Sequence, residues 1–311
     1  MHVVFGAGPL GLAVTRQSRT QGLSARLATR TGRSGATSET GGVEWVRADA
    51  ADPASAAAVC AGATVVYHCA GAPYNRWPEL LPGMLEGIIA GARSAGATLV
   101  YGDNLYMYGP VAGPLTETLP DASTSTKGAL RARLARRLLD AHKQGELRAA
   151  IGRGSDFFGP YAITSHAGER VFPRALAGKA AEVVGDPEKL HTFTFIDDFA
   201  RALVILGSRE EALGHAWHVP NAPTVTTRAF VEQVFRAAGT QPRLRAAPRW
   251  LLGIVGLFDP VVGELRETLY QFEQDFVVDS NRFTETFGMQ STPLDDAIGQ
   301  TLDWWRRTGP V

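Results

Sequence analysis

His2-Val3-Val4-Phe5-Gly6-Ala7-Gly8-Pro9-Leu10-Gly11 opens the chain and decides how the rest is read. The first four residues read as a short buried strand that runs directly into Gly6-x-Gly8-x-x-Gly11. Residues 10–20 continue as a helix, which Gly22 closes. Each glycine has a separate physical task. Gly6 permits the tight turn, Gly8 lets backbone approach a pyrophosphate, and Gly11 lets the helix pack on the strand. Pro9 and Leu10 stand where the helix starts, so its free N–H groups and positive dipole end face the phosphates. With a strand before it and a helix after it, this spacing predicts a dinucleotide site, with an ordinary strand-helix turn as the competing reading.

The composition is that of an ordinary globular protein. In 311 residues, 45% are hydrophobic and 20% charged, enough apolar material for one large core or two unequal ones. Lys+Arg and Asp+Glu are balanced at 31 each, so no net field recruits nucleic acid or an anionic membrane, and neither partner is expected. The longest apolar run, 250–258, is far too short to span a bilayer, which takes about 20 residues. It reads as core, with a dimer contact or a pocket wall as sharper alternatives. A strand beginning at residue 2 leaves no room for a signal peptide, so the expected location is cytoplasmic. Cys60 and Cys69 show no metal-ligand spacing; buried reduced thiols and no metal are expected.

Along the chain, strand and helix alternate. Strands are predicted at 24–29, 43–47, 64–68, 98–102 and 147–152, with helices between them. The pattern predicts an α/β fold, a doubly wound parallel sheet with ligands at the carboxyl ends of its strands. The second strand ends at Arg30, with Arg33 beyond and no carboxylate until Glu39. Basic residues there suit a 2′-phosphate, so NADP is expected over NAD. Asp49 ends the third strand, where it either contacts the adenine region or is an ordinary loop aspartate. After the fourth strand, the small residues Ala70-Gly71-Ala72 allow backbone to approach a flat ligand closely.

The fifth strand leads into Asp103-Asn104-Leu105-Tyr106-Met107-Tyr108-Gly109-Pro110, and three of the seven tyrosines lie between Tyr101 and Tyr108. Phenols at a strand end on the ligand edge are candidates for chemistry, with packing under the following loop as the alternative. The next helix has an apolar stripe of Leu130, Leu134 and Leu138, and Arg131, Arg133, Arg136 and Arg137 read as its solvated face. Lys127 opens that helix in a chain with only four lysines against 27 arginines. Beyond residue 154 the alternation loosens. The division expected is a dinucleotide-binding unit over 1–154, to which 191–220 returns, and a smaller substrate-binding region over 155–190 and 221–311.

The sequence resembles the short-chain dehydrogenase/reductase superfamily, in the extended and atypical branch called the NAD-dependent epimerase/dehydratase family. Besides the glycine motif and Ala70-Gly71-Ala72, the likeness runs through Met107-Tyr108-Gly109-Pro110, Phe158-Gly159-Pro160, Phe195-Ile196-Asp197-Asp198, Phe287-Gly288 and Thr292-Pro293-Leu294. It implies a Rossmann fold, a small-molecule substrate, a homodimer, and Lys127 on the nicotinamide ribose. The resemblance also implies a tyrosine four residues before that lysine, and a serine or threonine just past the fifth strand. Here those positions are Ser123 and Asn104. A phenol titrates near ~10 and an alkyl hydroxyl far higher, so Ser123 is a poor substitute acid.

The expectation is therefore an NADP-dependent oxidoreductase acting on a small carbonyl or enone compound. In it Tyr106 is the proton donor, its phenolate favoured by the charge of Lys127, and Asn104 donates to the substrate oxygen. Tyr74, Tyr108 or solvent are the other proton sources. The alternatives are a dinucleotide-binding sensor without hydride transfer and a sugar-nucleotide epimerase or dehydratase.

Overall fold

A computed structural model of the chain describes residues 1–32, 43–247 and 267–309. Arg33, Glu39 and the apolar run 250–258 lie outside the described residues. Seven parallel strands form the central sheet: β1 (His2–Phe5), β2 (Ala25–Thr29), β3 (Glu44–Arg47), β4 (Val65–His68), β5 (Thr98–Asp103), β6 (Arg148–Arg153) and β11 (Ala216–His218), in the order β11-β6-β5-β4-β1-β2-β3.

Residues that are apolar on both sides of the pleat make these strands central. Val3, Val66, Leu99 and Ile151 are fully buried under α2 (Pro53–Cys60), α3 (Trp77–Ala95) and α4 (Thr126–Lys143). Val4, Val100 and Ala150 are equally buried on the opposite face, under α1 (Pro9–Thr20) and α6 (Ile196–Ser208). Full burial of one such valine, leucine or isoleucine contributes roughly 1.5–3 kcal/mol, which is why the strands read as unbroken apolar runs.

The chain builds β1, β2 and β3 outward in one direction and then returns to lay β4 on the other side of β1. At this reversal a crevice opens beside the loops after β1 and β4, at the strands' carboxyl ends.

The second lobe is organised around short strands, of which local sequence announces only the one at 192–196. These are β7 (Asp156–Phe158), β8 (Ala181–Val184), β9 (Leu190–His191), β10 (Phe193–Phe195), β12 (Val225–Thr226) and β13 (Leu244–Ala247). They pair two by two, β7 with β10, β8 with β13 and β9 with β12. Their core is aromatic: Phe158, Phe172, Phe193, Phe195 and Phe230 pack with Trp304 and Trp305. Around it lie α5 (Phe172–Leu176), α7 (Thr227–Ala238) and α9 (Leu294–Thr308), while α8 (Asn281–Phe287) packs beside β11. No helix among the described residues is long and apolar enough to cross a membrane.

Candidate active site

Two short stretches make the first half of the site. Gly6 has φ +99°, and a Cβ there would lie 2.6 Å from the Cα of Ala70. A Cβ on Gly11 would lie 1.9 Å from the carbonyl oxygen of Gly6. Both positions are closed to any side chain, so the loops after β1 and β4 touch through backbone. Gly8 and Gly71 differ, because a Cβ on either would meet nothing within 4 Å.

Gly8 and Gly71 line a cleft of about 790 Å³ that also takes in Ala70, Ala72, Arg30 and Asp49. Gly8 caps α1 with Pro9 behind it, and no side chain bonds the helix start. By contrast Asp52, Ser125 and Thr226 cap α2, α4 and α7 with their own oxygens. An uncapped helix start opening on a cleft of small residues fits the pyrophosphate of a dinucleotide. Leu10, in the first turn, packs inward against the core under α1 instead of facing the cleft wall.

Arg30 is exposed just past the end of β2. Asp49 accepts from the backbone N–H of Ala51 at 2.9 Å, forming the turn after β3. Sequence reasoning missed Trp45 and Arg76, which also line the cleft. Neither stands in a spacing that local pattern could flag.

The second half lies where β5 and β6 end. Asn104 accepts from the backbone N–H of Tyr106 at 3.1 Å and so turns the chain after β5. Tyr106 is buried and its hydroxyl meets that of Tyr74 at 2.9 Å. Trp77 stacks on both phenols, with ring centres 4.7 Å from Tyr74 and 6.1 Å from Tyr106. The indole N–H donates to the carbonyl of Ala72 at 2.9 Å, which ties the stack to the cleft.

Lys127 is 2% exposed, with Nζ 3.8 Å from Glu267 and 5.7 Å from the centre of the Tyr74 ring. The lysine thus faces Tyr74, whereas the sequence reading had its charge acting on Tyr106. Nor is the Tyr106 phenol shifted toward phenolate. Burial pushes it well up, Tyr74 and the Asp156 carboxylate add to this, and only Arg131 pulls it back. The Tyr74 phenol is raised by burial too, less so because of the hydrogen bond to Tyr106. Ser123 sits at the position four before Lys127, its hydroxyl 3.2 Å from that of Ser125.

Arg131 corrects the expectation of a uniformly solvated arginine face. Its side chain is 11% exposed, donates to the Tyr101 hydroxyl at 2.5 Å and to Asp103 at 3.2 Å, and lies 4.2 Å from the Trp77 ring centre. One turn beyond Lys127 on α4, it shares the lysine's inward face. The buried carboxylate of Asp103 also has Arg153 at 3.7 Å. Burial raises its acid, and the two guanidiniums pull against that without cancelling it. Tyr108 is also committed to structure, bonded to His218 at 2.8 Å and Arg153 at 2.7 Å.

Among solved structures the chain is similar over nearly its whole length to several enzymes. A nucleoside-diphosphate-sugar epimerase from Pseudomonas aeruginosa superposes with a TM-score of 0.76 at 18% identity, over 99% of this chain and 98% of that one. UDP-glucose 4-epimerase from Thermus thermophilus, in complex with NAD, gives 0.76 at 17% identity, over 98% and 99%. dTDP-glucose 4,6-dehydratase from Bacillus anthracis, in complex with NAD, gives 0.78 at 15%, over 98% and 96%. Likeness at this identity is likeness of fold. No curated protein matches the sequence. The model of the NAD dependent epimerase/dehydratase family, however, matches residues 2–219. With the glycine cradle, the uncapped helix and the parallel sheet in register with that match, the chain belongs to the NAD dependent epimerase/dehydratase family of oxidoreductase-type enzymes.

Proposed function

We propose that this protein is an NADP-dependent oxidoreductase acting on a small carbonyl compound or the matching alcohol, with the Tyr74–Tyr106 pair doing the work of the phenol missing at Ser123. The observation that carries the reading is the 2.9 Å contact between the hydroxyls of half-buried Tyr74 and buried Tyr106 beside Lys127, at the carboxyl edge of the sheet. Bound there, the dinucleotide supplies or accepts the hydride.

The chain's own residues handle the oxygen and its proton. One phenol donates its proton to the substrate oxygen, and the second phenol donates a hydrogen bond to the phenolate oxygen that forms. Lys127 over the Tyr74 ring and Arg131 behind Trp77 supply positive charge toward that phenolate. Asn104, whose side-chain oxygen is used in the turn, has its amide N–H groups left to donate to the substrate oxygen. Burial of Tyr106 keeps water from competing for the proton.

The preference for NADP rests on Arg30, since the described residues leaving β2, Thr29 to Gly32, include no carboxylate to repel a 2′-phosphate. In the same reading Gly6, Gly8, Gly11 and Ala70 to Ala72 hold the pyrophosphate, Asp49 the adenine side, and Lys127 the nicotinamide ribose. The described residues of 155–190 and 221–309 are the smaller, substrate-binding region in this reading. A homodimer belongs to this reading on family resemblance. The named activities of the similar structures favour a sugar-nucleotide substrate as the second reading, and Ser123 in place of a phenol weighs against it.

The test is turnover. NADPH oxidation with a panel of ketones, enones and sugar nucleotides identifies a substrate, and Tyr106→Phe and Tyr74→Phe are then compared at saturating cofactor. Loss of a general acid costs about 10²–10⁴-fold in rate, and both variants are expected in that range. Near-full turnover in Tyr106→Phe removes the pair from the mechanism, and tight NADPH binding without turnover on any compound favours a sensor.

A further inference from the structure

Neighbouring strand ends bring a second polar group to the phenols. β5 and β6 pair in parallel with Asp103 opposite Arg153. Three residues beyond Asp103 the chain reaches Tyr106, and three residues beyond Arg153 it reaches Asp156, so both leave the same edge of the sheet side by side. Asp156 begins β7 and pairs in register with Phe193 of β10. Oδ2 is held 3.0 Å from Nε2 of His191, whose Nδ1 lies 3.0 Å from the carbonyl oxygen of Gln271. The imidazole is clamped between Phe272 and Phe276, nearly parallel to both at 4.6 and 5.5 Å. A ring bonded at both nitrogens and stacked on aromatic neighbours has one orientation, and it fixes the carboxylate in turn.

The carboxylate stays ionised in this setting. Burial works against it, but the hydrogen bond from His191 and the nearby His166 and His191 rings outweigh burial and hold the acid below its ordinary value. Its charge reaches the phenols of Tyr74, Tyr106 and Tyr270 and the His166 ring. The side chain keeps 11% of its surface exposed, and Oδ1 has no side-chain partner among the described residues. A buried carboxylate is costly unless it is paired and hydrogen-bonded, and here His191 covers Oδ2 alone among side chains of the described residues.

We propose that Asp156, oriented by His191, is the substrate-recognition residue of this site: it accepts a hydrogen bond from a hydroxyl of the substrate and repels phosphate, so that the substrate is an uncharged hydroxycarbonyl compound. This rests on the oxidoreductase reading above and narrows it, because a nucleoside diphosphate sugar would bring further negative charge toward a fixed, largely buried carboxylate. A hydroxyl donor satisfies that carboxylate, and an analogue lacking the hydroxyl leaves it desolvated and unpaired.

Two measurements on the full chain test this, the first with NADP bound and the second with NADPH. In the first, UDP-glucose is titrated calorimetrically into the unmodified protein and Asp156→Asn, which keeps the shape and removes the charge. Asp156→Asn is expected to bind at least about tenfold more tightly, the scale of one charge-assisted contact. In the second, NADPH oxidation is compared for hydroxyacetone against acetone and for 3-hydroxybutanone against butanone. The hydroxylated partner is expected to lead by about 10–100-fold in kcat/KM, and Asp156→Asn to lose most of that lead. His191→Asn keeps the charge but frees the carboxylate. It is expected to lower the hydroxyl preference while still excluding UDP-glucose, a split that general loss of structure would not produce. Should Asp156→Asn fail to fold, Asp156→Ser takes its place.

Equal UDP-glucose constants in the unmodified protein and the charge-removed variant, or tighter binding by the unmodified protein, overturn the proposal. The calorimetric comparison needs no turnover. If NADPH is never oxidised, the oxidoreductase reading fails by itself, and the calorimetry still decides whether Asp156 excludes phosphate.

Discussion

At the β1 end of the ligand edge, Gly6 and Gly11 are pressed against backbone with no room for a methyl group, and the cleft beside them is shaped by what side chains leave out. At the β5–β6 end, Tyr74, Trp77, Tyr106, Lys127, Arg131, Asp156 and His191 converge from segments spread over more than a hundred residues of chain. In the proposed reading the first end binds through main-chain groups, and its Gly6 and Gly11 leave no room for a side chain. The second would work through long side chains. The phenol missing at Ser123 illustrates this: two tyrosines from other loops occupy the neighbourhood of Lys127 instead.

The sharpest way to break the contrast is at two glycines three residues apart. Gly8→Val adds atoms only to open cleft, so we expect an unchanged melting temperature and no measurable NADPH binding in a fluorescence titration. Gly11→Ala drives a methyl group into the Gly6 carbonyl, and overpacking of this kind costs about 1–3 kcal/mol or more. It should lower the melting temperature as well as affinity. Undiminished binding by Gly8→Val would mean that the first loop is not the phosphate site.

His68 joins the two ends, since it finishes β4 just before the cleft turn and lies 4.7 Å from the Tyr101 ring. Burial, with a smaller contribution from Arg131, lowers its imidazole from 6.5 to about 3. The folded protein therefore holds the ring neutral while the unfolded chain takes up a proton below 6.5. Stability is full above that value and falls as pH drops from 6.5 toward about 3, by up to about 1.4 kcal/mol per pH unit from this group. Denaturant midpoints for His68→Leu between pH 7 and pH 4 should show a shallower acid slope than the unmodified protein. An identical slope would assign the acid sensitivity elsewhere.

The smallest expected effect lies at the rim. Arg30→Ala should reduce the preference for NADPH over NADH by about 10–100-fold, the equivalent of a charge-assisted hydrogen bond of ~1.5–3 kcal/mol, without altering kcat. Equal dissociation constants for the two cofactors in the unmodified protein would remove Arg30 from cofactor choice.

The sheet was legible because its central strands are apolar on both faces and alternate with helices. The strand expected at 24–29 is Ala25–Thr29, and that expected at 98–102 runs to Asp103. The second lobe was not legible in this way. β7, β9 and β12 have two or three residues each, and only pairing with distant partners makes them strands. Arg131 carries no local mark separating it from Arg133, because its burial depends on Tyr101 and Asp103 being within reach. Asp156 and His191 lie 35 residues apart and meet only when β7 pairs with β10. The cluster of tyrosines did show in the sequence, but the hydroxyl partner of Tyr106 did not.

The indole of Trp77 hangs from the carbonyl of Ala72 and carries the two phenols on its faces. A nucleotide settling against the Ala70–Ala72 turn and a substrate settling against the phenols thus push on one rigid lever. Thermodynamic reciprocity then applies: whatever factor the nucleotide adds to substrate affinity, the substrate adds to nucleotide affinity. The hydrogen bond from Trp77 is the connection through which such a factor would pass, and Trp77→Phe, which removes the donor, should bring that factor toward one.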